Sequence, residues 1–314
     1  MNFFVKLFGF PETSYVETQA ALLNIATFTP APTPHYFRER CDFAVADGRT
    51  ISAGTFSAPS VSDLRAACAQ ATCDVRSTKK TTVRNILGEA RSLHFDALTA
   101  RGAVVQAASQ FNYLEMPGPA TTPEAGISDY VFDRTQGPAC AVACAAGTAY
   151  RNYLVPVPFR PDAARRGQTA ASQLNGLEDA ERHFGTATPW VVTNGYVEAA
   201  DAERLRAFGG TRLDPNGRAE LGSRVRIGVQ EDADATDPQA GGRRVTQVYC
   251  SALAIGYSRW DGELWEPTAR VVLEATYEAA LLVGTLKTAE ALVEGRDPPP
   301  VLLTLVGGAR LATS

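Results

Sequence analysis

Val245–Leu253 (VTQVYCSAL), Trp265–Lys287 (WEPTARVVLEATYEAALLVGTLK) and Val301–Val306 (VLLTLV) decide the fold class. The first and last are short, with turn-forming residues beyond them, and read as strands. In the middle segment Val271, Val272, Ala275, Ala279 and Leu282 recur at three and four residues, which predicts a helix with one apolar face. Pro298–Pro300 cannot continue a helix, so the chain must turn before the last strand. Strand, long helix, strand implies a crossover between parallel strands.

Working outward, Val225–Val229 reads as a strand and Asp232–Gly242 as a polar loop. Val104–Ala108 is a further apolar run without alternation, the pattern of a strand covered on both faces. One mixed sheet of about six or more strands with Val104–Ala108, Val245–Leu253 and Val301–Val306 as neighbours is therefore expected. Between these segments, Pro138 at the first position and Gly147 at the end delimit a small-residue helix over Ala139–Ala146. The stretch from 155 to 222 carries weaker signals: helices at Leu177–Phe184 and Ala200–Phe208, a strand at Trp190–Thr193, and turns at Gly209-Gly210 and Asn216-Gly217.

The first eighty-odd residues read as an extension packed on this core, with residues 1–82 set apart from 83–314. Met1–Phe10 (MNFFVKLFGF) is too short for a signal-peptide core and reads as a first strand. Thr13–Leu23 is a short helix opened by Thr13 or Ser14, with Glu17 near the capping-box position. Thr29–Pro34 (TPAPTP) is an extended connector, Cys41–Val45 and Arg49–Phe56 form a hairpin across Asp47-Gly48, and Ser60 caps a helix reaching Ala71.

Composition narrows the function classes. The chain has 314 residues, 45% hydrophobic and 20% charged, with 30 basic against 34 acidic residues and a net charge of −4. That is a globular composition with no overall bias toward nucleic acid or an anionic membrane. No run approaches the roughly 20 apolar residues of a membrane helix. The six cysteines form no C-x-x-C pair and no metal-like cluster with His35, His94 and His183, so neither a cofactor nor a metal is expected. All six are expected to be reduced, in a cytoplasmic setting.

Chemistry is expected at the carboxyl edge of the parallel strands, where Ser109–Glu115, Cys250–Ala252 and Gly307-Gly308 would gather. The helix opening at Gln136-Gly137 adds free N–H groups and a partial positive charge suited to phosphate. The fingerprints of the common ATPase and dinucleotide-binding loops are absent. Each candidate has a plainer alternative. Asn112 either contacts a ligand or caps the turn after its strand. Asp133 is either a catalytic or ribose-binding acid or one half of a helix-start ion pair with Arg134. Glu115 is a general acid if buried, and otherwise a surface carboxylate. Cys140 lacks an evident base and reads as packing. Asp232, Asp234 and Asp237 lack the EF-hand spacing and read as a solvated hairpin tip rather than a calcium site.

The piece VVQAASQFN (Val104–Asn112) and the closing order VTQVYCSALAIGYS, WEPTARVVLEATYEAALLVGT, VLLTLVGG resemble the macro-domain superfamily, including the poly(ADP-ribose) glycohydrolases. The resemblance covers about two-fifths of the chain. It implies a macro-domain-like three-layer α/β/α sandwich that binds ADP-ribose at the carboxyl edge of a mixed sheet. Ser109, Gln110, Asn112, Gln136, Gly137, Gly307 and Gly308 would then line the ligand, with Asn112 near the distal ribose. Asp133 and Glu115 would be candidates for hydrolysis of an ADP-ribosyl bond. The chain departs from the family at Asp133–Gly137 (DRTQG), which is neither the glycine triplet nor the paired glutamates of the glycohydrolases, and after Gly308, where Ala309-Arg310-Leu311 replaces the expected loop. The resemblance thus supports a binding site better than a reaction. The alternatives are a non-catalytic ADP-ribose module and a structural α/β protein without a site. The short ending predicts weak affinity, with Ala309–Ser314 unordered or over the pocket.

Overall fold

The computed structural model describes residues 2–72, 81–96, 99 and 102–307. In chain order these form α1 (Phe3–Phe8), α2 (Tyr15–Ile25), β1 (Ala26–Pro30), β2 (Arg38–Ala44), β3 (Thr50–Ser57), α3 (Val61–Thr72), α4 (Ala90–Leu93) and β4 (Val104–Ser109). There follow α5 (Gln136–Ala143), α6 (Ala145–Ala149), α7 (Glu178–Phe184), β5 (Trp190–Thr193), β6 (Tyr196–Ala199), α8 (Ala202–Ala207) and α9 (Pro215–Arg224). The last elements are β7 (Gly228–Asp234), β8 (Arg244–Ser251), α10 (Gly262–Val293) and β9 (Val301–Leu302).

Among the described residues, seven strands form one mixed sheet in the order β1-β2-β3-β7-β8-β4-β9, and β5-β6 is a separate hairpin. The first five strands of that order are antiparallel to their neighbours, while β8, β4 and β9 run parallel. The three segments expected as neighbours are therefore in one sheet, with β4 seated between β8 and β9. Residues 1–82 supply β1–β3 to this same sheet through the β3–β7 pairing. Alternation along the strands sends Val105, Ala107, Val245 and Tyr249 into one core with α1, α2, α5 and α6. Val104, Val229, Val248 and Cys250 enter a second core with α3 and α7–α10.

Several local expectations are corrected. Met1–Phe10 is not a strand: Asn2 accepts from the Phe4 N–H at 3.0 Å, and Phe4, Leu7 and Phe8 bury one helical face. That spacing of three and four is helical, but six residues are too few for it to stand out. Ser14 caps α2 as expected, and its hydroxyl donates to Glu17 at 2.9 Å. Asn216-Gly217 is not a turn but the first turn of α9, with Asp214 as cap and Pro215 leading. Gly217 serves close approach there, since a Cβ would stand 1.7 Å from the Arg212 carbonyl oxygen. Gly209-Gly210 likewise lies in a π-helical turn, Phe208–Arg212. The small-residue helix does not stop at Gly147. It breaks at Cys144 (φ −128°, ψ 59°) and continues through α6 and a π-helical turn to Leu154. Pro138 is its third residue rather than its first.

The closing strand is shorter and more exposed than its sequence suggests. Only Val301 and Leu302 pair with β4, opposite Val104 and Val105, and Leu305 lies 85% exposed. The reason is visible on β4 itself. Its next edge groups, the Gln106 carbonyl and the Ala108 N–H, are taken at 2.7 Å each by the Gln136 side-chain amide. One glutamine thus does what the next strand residues would do.

Cys41, Cys140, Cys144 and Cys250 are free and buried, and Cys68 is buried with its thiol donating to the Leu282 carbonyl. Cys73 and Ala309–Ser314 lie outside the described residues. Thiol titration of denatured, unreduced protein is expected to find six thiols, and fewer than five would contradict a reduced core. No described helix is long and apolar enough to cross a membrane.

Candidate functional site

The parallel pairing places Ser109 opposite Ser251 at the carboxyl ends of β4 and β8. Gly307 comes to the same edge, where a Cβ on it would be 3.2 Å from the Ala252 methyl. The first turn of α5 is pressed against the end of β4: a Cβ on Gly137 would stand 2.2 Å from the Ala108 carbonyl oxygen and 3.3 Å from Glu115 Cγ. Strand ends, helix start and Glu115 therefore meet, as expected from their order in the chain. Gly308 lies outside the described residues.

The side chains that were expected to face a ligand divide into two sets. Gln110 and Asn112 are turned inward to hold the loop after β4. Gln110 accepts from the Met116 N–H at 2.8 Å and donates to the Met116 carbonyl at 3.2 Å and the Tyr196 hydroxyl at 3.3 Å. Asn112 is fully buried, accepts from the Leu114 N–H at 3.1 Å and donates to Gln173 Oε1 at 2.8 Å. Gln173 in turn donates to Asn194 in the β5–β6 turn at 2.7 Å. Asn112 therefore does the work of a cap, its plainer alternative. Asp133, half-buried, accepts from the Thr135 N–H and hydroxyl at 2.8 and 2.6 Å, fixing the entry to α5 instead of pairing with Arg134. Ser109 is half-buried, with its hydroxyl donating to the Gln110 carbonyl at 3.1 Å.

Glu115 is different. It is 2% exposed, and neither carboxylate oxygen has a hydrogen-bond partner among the described residues. The nearest cation is Arg151, fully buried, with Nη2 3.6 Å from Glu115 Oε1. That exceeds the 2.7–2.9 Å of a charge-assisted hydrogen bond. Arg151 is committed elsewhere: Nε donates to the Tyr113 carbonyl at 2.9 Å, Nη2 to Thr148 at 3.2 Å, and the guanidinium lies 3.6 Å from the Tyr249 ring centroid. Burial pushes the Glu115 carboxyl from its ordinary 4.5 up to about 8, with Arg151 opposing.

The surroundings of this pair are polar but uncharged. The Tyr249 hydroxyl donates to Gln247, and Gln247 meets the Cys140 carbonyl at 2.8 Å and His94 Nε2 at 2.9 Å. Burial lowers His94 to about 4, so its ring is neutral. Burial also holds the Cys140 thiol well above its usual range, which makes it a packing group and not a nucleophile.

Arg151 was missed in the sequence, although a signal exists. It is the one charged residue between Arg134 and Arg160. A lone charge inside so apolar a stretch has to be buried with partners.

Two cavities, of about 260 and 120 Å³, lie elsewhere, and neither is lined by the residues expected at the carboxyl edge. No group of three or more His, Cys, Asp or Glu side chains suited to a metal occurs among the described residues. The chain matches no protein-family model, no curated protein and no solved structure.

Proposed function

We propose that the protein binds a phosphate-bearing nucleotide of the ADP-ribose class across the carboxyl ends of β4 and β8 and the segment that follows β9, as macro domains do. The observation that carries this reading is the meeting of the parallel ends of β4 and β8, joined at Gly307 by the segment after β9, with the first turn of an eight-residue helix, α5. The N–H groups of Gln136 and Gly137 lack intrahelical acceptors, Pro138 has no N–H, and the turn carries a partial positive charge suited to a diphosphate. Helices on both faces of the sheet support the macro-domain-like three-layer arrangement. The free, buried Cys41, Cys140, Cys144 and Cys250 support a reducing, cytoplasmic location. In this reading Ser109 and the Gln136-Gly137 backbone meet the ligand, while Gln110 and Asn112 shape the loop behind it.

A second reading, hydrolysis of an ADP-ribosyl bond, is favoured by Glu115. A carboxyl with its pKa near 8 holds its proton at neutral pH and can give it to a departing oxygen as the bond to C1″ of the ribose breaks and a water molecule forms the new C1″–O bond, that water's proton then passing to the Glu115 carboxylate. It is enclosed in this conformation, so hydrolysis requires the loop around it to open. Calorimetry with ADP-ribose tests the first reading. Weak, saturable binding is expected, and no binding at millimolar ligand would leave the structural α/β alternative. Turnover of an ADP-ribosylated protein, lost in Glu115→Gln with ADP-ribose affinity kept, is the result expected from the second.

A further inference from the structure

The cavity of about 260 Å³ lies between the turn at Thr33–Tyr36, α3 and α10, on the face of the sheet away from α5. Its inner wall is apolar, built from Leu64, Ala67, Val229, Val283 and Leu286. Its polar end is a short chain of charges. Arg38 Nη2 is 3.0 Å from Glu231 Oε1, Lys287 Nζ is 2.6 Å from Glu231 Oε2, and Lys287 also holds Glu290 at 2.9 Å.

Two features of this lining restrict what it can accept. Within the lining the two cations, Arg38 and Lys287, balance the two carboxylates, Glu231 and Glu290, and Lys287 also lies 3.7 Å from Asp232, an exposed carboxylate outside the cavity. A charged guest would give up its hydration and find no free counter-ion, which disfavours it against a neutral one of the same size. In addition, Arg38 Nε is buried with no hydrogen-bond partner among the described residues. Rotation of the planar guanidinium would present that N–H to the cavity, at the cost of loosening the Nη2 contact with Glu231. The space is smaller than the 300–1,000 Å³ of sites for drug-sized ligands, and suits a single ring with a small substituent.

We propose that this cavity is a small-molecule site selective for neutral aromatic or heteroaromatic carbonyl compounds, with the ring on the Leu64, Val229 and Val283 wall and the carbonyl oxygen accepting from Arg38. The site is separate from the carboxyl edge and does not depend on the nucleotide reading.

Benzamide, benzoate and benzylamine share a shape and differ in charge, so they are the probes. Ligand-observed NMR on the full chain is expected to show millimolar binding of benzamide, with the two charged probes weaker by about tenfold or more. Ala67 is half-buried on α3, so Ala67→Phe fills the space without deleting a core side chain. It is expected to abolish benzamide binding, while Ala67→Ser retains it. Equal affinity for all three probes, no benzamide binding at millimolar concentration, or benzamide binding that survives Ala67→Phe would overturn the assignment. A failure of ADP-ribose to bind would leave it standing.

Discussion

Gly137→Ala is expected to lower stability by about 2 kcal/mol or more, although alanine is the better helix former by about 1 kcal/mol. The added methyl would lie 2.2 Å from the Ala108 carbonyl oxygen and 3.1 Å from the carbonyl carbon, both backbone atoms at the end of a strand hydrogen-bonded within the sheet. Neither can swing aside as a side chain can. Either α5 lifts off β4, breaking the bonds of Gln136 to Gln106 and Ala108, or the end of the strand bends. Urea unfolding should show a lower midpoint at an unchanged slope. A variant as stable as the wild type would mean that α5 is not seated on the strand end, and the proposed site would lose one wall.

Glu115→Gln is expected to gain on the wild type as pH rises. The folded carboxyl has its pKa near 8 against about 4.5 when unfolded, so the folded protein binds the extra proton across that window. Wild-type stability from this group is therefore highest below pH 4.5 and is lost progressively toward pH 8. Glutamine keeps the shape and does not titrate. Between pH 5 and 7.5 the difference between the two proteins should grow by about 3 kcal/mol in favour of Glu115→Gln. A difference independent of pH would show that Arg151 holds the carboxylate ionised in the folded state.

The two segments of the chain that say most about the fold are those where burial forces a simple pattern. Val104–Ala108 and Val245–Ser251 are covered on both faces, and each reads correctly as a strand because β-branched and small residues prevail there and no turn former interrupts them, the few polar residues (Gln106, Thr246, Gln247) being buried with the rest. The ends of elements are harder, since they depend on partners far away in sequence. Nothing local to Val301–Val306 says that its pairing stops at Leu302. The cause is Gln136, whose amide occupies the adjoining edge of β4. Asn112 shows the same limit for the site. Its position after a strand was legible, but its role depends on Gln173 and, through it, on Asn194, far along the chain. Glu115 was identified as a candidate on the condition of burial, and the burial itself comes from Arg151, Tyr130 and α5, none of which announces the contact in sequence.

Amide chemical-shift mapping during an ADP-ribose titration addresses the ligand site at the carboxyl edge residue by residue. The largest shifts are predicted at Ser109, Gln136, Gly137, Ala252 and Gly307, with little change around Leu64 and Val283. Saturable shifts confined to other surfaces, or none at millimolar ADP-ribose, would contradict it.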